Sequence, residues 1–152
     1  MFVHYYTHVP VSLSAVAAKI DEVRTQLEGI GDVAYRDGED LFAKVRPAGT
    51  SYAKKVSLVI ATPEIRTVGI VYPITWTAAG AESLFPRLVA DLVLSHVGSD
   101  RTKLSLQGTY DPPFGPLGRV VDRALLHKVA ESTVQDWVDR VAAAVTSVPS
   151  TS

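Results

Sequence analysis

The hydrophobic pattern of the chain changes period several times. Residues 2–9 are aromatic and β-branched and read as a first strand, ended by Pro10. Ser12 is a natural N-cap, and apolar positions then recur at Val16, Ile20, Val23 and Leu27, one face of a helix. Asp21 and Glu22 fall in the same stretch, so the segment reads as two short helices as readily as one. Gly29 and Gly31 are expected to stop it. A short strand over 33–36, the hairpin signal Asp37-Gly38 and a partner strand over 41–46 should follow.

Four longer strands are predicted next, over 54–62, 66–77, 84–97 and 103–110. In the second of these, Val68, Ile70, Tyr72, Ile74 and Trp76 share one face; in the third, Leu88, Ala90, Leu92 and Leu94 do. The last strand puts Leu104, Leu106, Gly108 and Tyr110 together. One apolar and one mixed face per strand is the mark of an antiparallel sheet covered on one side. After the breaker Asp111-Pro112-Pro113-Phe114-Gly115-Pro116-Leu117-Gly118, the period becomes 3.6 and runs to about Val145. Leu126, Ala130, Val134, Trp137, Val141, Ala144 and Val145 form a single stripe, with Glu131, Gln135, Asp136 and Asp139 opposite. Extended backwards, the stripe meets Arg119 and Arg123, so its phase breaks near Leu125. Either the helix kinks there, or the arginines flank the mouth of a pocket floored by Trp137. The predicted fold class is α+β: a curved antiparallel sheet of about six or seven strands wrapped around a long C-terminal helix, with two short helices after strand 1. Residues 1–147 read as one domain and 148–152 as a frayed tail.

Composition narrows the function classes. The 152 residues carry a net charge of −1, with lysine and arginine scattered, which disfavours an electrostatic nucleic-acid binder. Mean hydropathy is +0.15, yet no apolar run approaches a membrane span, because Pro86, Arg87, Asp91 and His96 interrupt the richest stretch. The absence of cysteine excludes disulfides, thiolate nucleophiles and cysteine-held metals. No secretory signal pattern opens the chain, so a cytoplasmic protein is expected.

The element order, with Leu104-x-Leu106-x-Gly108-x-Tyr110-x-Pro112-Pro113-x-Gly115-x-x-Gly118 opening a long helix, resembles the START-like (SRPBCC) superfamily. This helix-grip group includes polyketide cyclase/dehydrase-type, Bet v 1-like and lipid-transfer domains. The resemblance covers nearly the whole chain and extends to Val9-Pro10-Val11-Ser12 and Val16. It implies a deep, mostly apolar cavity between the concave sheet and the last helix. It supplies no universal catalytic residues.

Residue chemistry adds little that is specific. His4 and His8 share a strand face but stand about 13 Å apart along an extended strand, too far to chelate one ion, and no metal or other cofactor is expected. No Gly-x-Ser-x-Gly elbow and no phosphate-binding glycine motif occurs. The predicted cavity lining is Tyr6, Tyr72, Trp76, Leu92, Leu106, Tyr110, Arg123, Leu126, Ala130 and Trp137. Tyr110 and His127 are the candidates for proton transfer, while Glu131 reads as an exposed partner of Lys128 or Arg123. The leading expectation is a monomer or homodimer that binds an apolar or aromatic small molecule such as a lipid or polyketide. The alternatives are a cyclase, aromatase or dehydratase working by acid/base chemistry, and a protein-interaction module whose cavity is filled by Trp76, Trp137 and leucines.

Overall fold

The computed structural model describes residues 1–43, 55–79, 87–111 and 123–146, except the side chains of 42, 43, 123, 125 and 126. Strand β1 (Phe2–Val9) leads into helix α1 (Leu13–Ala43). Strands β2 (Lys55–Ile60), β3 (Glu64–Arg66), β4 (Gly69–Ala79), β5 (Arg87–His96) and β6 (Thr102–Tyr110) follow, then helix α2 (Arg123–Thr146). The strands form one six-stranded antiparallel sheet in the order β1-β6-β5-β4-β2, with β3 pairing the first residues of β4 beside β2. Both helices cover the same face, and α2 packs chiefly on α1 and β1. The architecture is the expected α+β helix-grip arrangement.

Alternation along the strands explains which face is covered. Tyr72, Ile74 and Trp76 of β4 point inward with Leu88, Leu92 and Leu94 of β5 and Leu104, Leu106 and Tyr110 of β6, all buried. The register aligns them in rows across the sheet: Trp76, Leu88 and Tyr110; Ile74, Ala90 and Gly108; Tyr72, Leu92 and Leu106. The middle row is small, and at Gly108 no side chain fits, since a Cβ would stand 2.5 Å from that of Ala90.

The segment after β1 corrects the expectation. The helix does not stop at Gly29, and residues 33–36 and 41–43 are helical, the rest of the predicted strand over 41–46 lying outside the described residues; α1 runs 31 residues, bent at Val23, whose backbone is non-helical (φ −108°, ψ 18°). Gly29 meets open space, whereas Gly31 lets α1 lie directly on β2, where a Cβ would stand 2.6 Å from that of Leu58. Glycine costs a helix about 1 kcal/mol relative to alanine. Burial of a large apolar side chain returns about 1.5–3 kcal/mol, and both Ala34 and Tyr35 are buried completely just beyond the glycines. Tertiary packing therefore overrides both the glycines and the Asp37-Gly38 turn signal. Arg36 adds local support through Asp32 and the buried Glu39.

Strand boundaries also shift. The predicted strand over 66–77 is a hairpin, β3 and β4, turning before Gly69, whose positive φ of 137° suits glycine alone. The predicted strand over 84–97 is described from Arg87 to His96. The last helix is described from Arg123; the breaker, its predicted first turn and the predicted tail lie outside the described residues.

Gly31→Ala tests the close approach of α1 to β2. Helix propensity alone predicts a gain of about 1 kcal/mol, while overpacking costs about 1–3 kcal/mol. A thermal melt should show net destabilisation, and Gly29→Ala, with room for the methyl group, should be stabilising.

Candidate functional site

Three sets of side chains meet on the covered face of the sheet. Trp137 of α2 lies against Trp76 of β4 with ring centroids 6.2 Å apart, and Trp76 meets Tyr35 of α1 at 6.3 Å. All three are fully buried, and the Trp137 indole N–H donates to the Leu27 carbonyl of α1 at 3.1 Å. Leu92 and Leu106 are directly opposed neighbours in the row of Tyr72, and Ala130 is buried under α2.

In the same row of the sheet as Trp76, across Leu88, stands a polar pair. Tyr110, the last residue of β6, is 1% exposed, and its hydroxyl lies 2.8 Å from Nδ1 of His127 in the first turns of α2. The two rings are nearly parallel, 17° apart, with centroids at 5.9 Å. Glu131 lies one helical turn on, its carboxylate 3.3 Å from Nε2 of the same imidazole. A carboxylate there favours the tautomer with the proton on Nε2, which leaves Nδ1 to accept from the Tyr110 hydroxyl. The hydroxyl also lies 3.3 Å from the Met1 sulfur. The result is a chain from a buried phenol through an imidazole to a half-exposed carboxylate. Burial, reinforced by the Glu131 charge, pushes the Tyr110 phenol up to about 12. It is therefore a neutral donor across the physiological range.

Tyr72 reaches α1 just before its bend. Its hydroxyl donates to Asp21 at 3.1 Å, with the Ala17 carbonyl at 3.4 Å. Burial first, then the Asp21 charge, raises this phenol to about 12, against the opposing pull of Arg24. On β1 the inward tyrosine is Tyr5, whose hydroxyl donates to Asp139 of α2 at 2.8 Å; that bond is the main cause of its raised pKa.

Tyr6 does not join these residues. It is 50% exposed on the outer face, because Val3 and Val9, both buried, fix the odd positions of β1 inward. A strand with aromatics on both faces carried no signal to settle this. The side chains of Arg123 and Leu126 lie outside the described residues. Glu131, read as a partner of Lys128 or Arg123, faces His127 instead; their i, i+4 spacing was the available signal. No pattern along the chain pointed to a separate cleft of about 290 Å³ between α1 and α2, lined by Ala34, Asp37, Gly38, Leu41, Ser132, Thr133 and Asp136. Arg140 ties its two acids, at 2.8 Å from Asp37 and 3.1 Å from Asp136. No group of three or more residues able to hold a metal ion occurs among the described residues. None of their helices is long and apolar enough to cross a membrane.

The two phenols raised to about 12, Tyr72 and Tyr110, give an alkaline prediction. Each holds its proton more tightly folded than unfolded, where a tyrosine ionises near 10. Their contribution is complete below about pH 10 and is lost as pH rises towards about 12. Phenolate absorbance should show at least two late-ionising tyrosines in the folded protein, and Tyr110→Phe should remove one of them.

No protein-family model and no curated protein matches the sequence. Solved structures do match. A conserved protein from Geobacillus kaustophilus superposes with a TM-score of 0.55 at 10% identity, over 95% of this chain and 95% of that one. DynU16, a protein of the dynemicin biosynthetic locus, gives 0.52 at 13% identity over 96% of this chain, which spans 47% of DynU16. A protein from Thermus thermophilus gives 0.51 at 14% identity, over 95% and 97% of the two chains. At such identities the likeness concerns fold. With its antiparallel sheet closed by a long C-terminal helix, this chain has the helix-grip fold.

Proposed function

We propose that this protein binds a small apolar or aromatic molecule between the concave sheet and α2, with Tyr110 and His127 as the polar end of the site. The observation that carries this reading is the Tyr110–His127 hydrogen bond on the covered face. A few oriented polar groups set in an apolar wall are how small-molecule sites fix orientation. The aromatic junction supports a ligand beside Tyr110 rather than against the tryptophans, because Trp76 and Trp137 already fill each other's contact surface. Arg123 and Leu126, about one turn or less before His127 in sequence, belong to the same proposed end. Lipids and polyketide-like rings are the ligand classes to try first, and DynU16's place in a biosynthetic locus is consistent with the latter.

Native mass spectrometry of protein purified from its host should reveal a co-purifying apolar or aromatic molecule. An environment-sensitive dye should be taken up and displaced by such molecules. Tyr110→Phe should weaken ligands that bear a carbonyl or hydroxyl by roughly tenfold, about one hydrogen bond, and leave hydrocarbon ligands unchanged. A clean apo mass with no dye uptake would overturn the proposal and favour an interaction module with a filled hollow.

The Tyr110–His127–Glu131 chain favours a second reading, acid/base catalysis on the bound molecule. A phenol that donates to an imidazole backed by a carboxylate can pass its proton to that imidazole while taking one from a substrate. On this reading Tyr110→Phe and His127→Ala each abolish turnover and leave binding within a few-fold. Retained turnover in both variants would exclude these residues as the catalytic groups.

A further inference from the structure

We infer that the open edge of β1 is a self-association surface, on which a second copy of this chain pairs antiparallel to give a sheet continuous across both subunits. The direction of the backbone comes first. Met1 and Tyr110 exchange both main-chain bonds, at 2.7 and 2.8 Å, so Met1 occupies a hydrogen-bonded position of the β1–β6 ladder. In an antiparallel pair such positions alternate. Val3, Tyr5, Thr7 and Val9 therefore turn their N–H and C=O groups towards β6. Phe2, His4, Tyr6 and His8 turn theirs to the open edge, where no partner occurs among the described residues.

The side chains of the same four residues all stand exposed on the outer face. Phe2, His4, Tyr6 and His8 form a ladder of rings with successive centroids 6.5, 6.1 and 5.7 Å apart. Lys103 of β6 lies 4.5 Å above the Tyr6 ring. Edge strands are normally guarded by charge, proline, a bulge or cover. The opposite edge is guarded: Lys55, Glu64 and Arg66 are exposed along it, and the Ile60 N–H donates to the Glu28 carboxylate of α1 at 2.8 Å. β1 has none of these devices. From Phe2 to Val9 it contains no lysine, arginine, aspartate, glutamate, proline or glycine, and it keeps one register with β6 throughout.

The occupant follows from the strand's self-complementarity. A second β1 brings no formal charge against the first, and antiparallel pairing about a dyad sets residue i against a residue j with i + j constant. Only an even sum brings edge-facing groups together. A sum of ten uses all four outward positions, placing Phe2 opposite His8 of the partner subunit and His4 opposite Tyr6 of the partner subunit. A sum of twelve brings in Pro10, which has no N–H to give. All paired rings then lie on one face, as cross-strand aromatic pairs. A contact of one strand edge is small, so the association falls in the weak class of interfaces.

Sedimentation equilibrium of the full chain at micromolar concentrations should give a mass rising towards twice 16.4 kDa. His4→Lys combined with Tyr6→Lys sets like charges opposite each other across the dyad and should weaken the dimer by roughly tenfold or more. Val59→Lys, on the opposite edge, should leave the dimer intact. In the wild-type protein, hydrogen exchange at the His4 and Tyr6 amides should slow as concentration rises. This measurement stands even if the double variant fails to fold. A wild-type monomer at every concentration, or a dimer whose His4 and Tyr6 amides exchange at the monomer's rate, would overturn the inference.

Discussion

Trp137 touches every layer of the molecule. Its ring rests on Trp76 of the sheet, its N–H is bonded to the Leu27 carbonyl of α1, and its backbone belongs to α2. A buried indole donor left unsatisfied costs about 1–3 kcal/mol, so α1 must present a free carbonyl at that depth. It does so with the Leu27 carbonyl, whose oxygen has a second lone pair for the indole. The carbonyl and the indole form one constraint. It holds α2 over the sheet and determines how much of the hollow is filled by protein.

The covered face has unlike parts. The junction itself is aromatic and fully buried. Tyr72 is engaged by Asp21 of α1, and Tyr110 is engaged by His127 of α2. Both phenols are raised to about 12, but their surroundings differ. Tyr72 meets a carboxylate, which can only accept its proton. Tyr110 meets an imidazole, which can accept that proton and hold it, with Glu131 ready to stabilise the charge. The difference in partner, rather than in acidity, is why the proposed ligand site is put at Tyr110 and not at Tyr72. A shared fold does not choose between ligand recognition and proton movement.

Much of this was legible along the chain, for a physical reason. Inward positions on β4, β5 and β6 alternate with polar ones, and such a pattern has only one satisfactory orientation towards a core. The α2 stripe is equally unambiguous from Ala130 to Val145. What failed was α1 beyond Leu27. Gly29, Gly31 and Asp37-Gly38 are real local signals for a break, and they lose to contacts made far away in sequence, Gly31 on Leu58 and Tyr35 on Trp76. Tyr6 failed differently. In the strand Phe2–Val9 both faces carry large side chains, and only the pairing with β6 decides between them. Tyr110 and His127 were each visible as candidates, but their 2.8 Å contact joins a strand end to a helix start, which no spacing rule reveals.

The outcome for β1 links the edge of the sheet to the polar end of the hollow. Tyr110 is held at its backbone by Met1, and its hydroxyl also meets the Met1 sulfur. The strand that begins at Met1 is the one whose outward groups lack a partner among the described residues. Strand pairing is cooperative along a ladder, so an ordered β1 keeps Tyr110 in place, whereas fraying from its first residues loosens the phenol before any other inward group of β6. His127 has its own support from α2 and Glu131, while on the β5 side the backbone is tied next to Tyr110, through the Asp111 N–H bonded to the Arg87 carbonyl. The precision of the Tyr110–His127 contact therefore rests on the least protected strand of the fold.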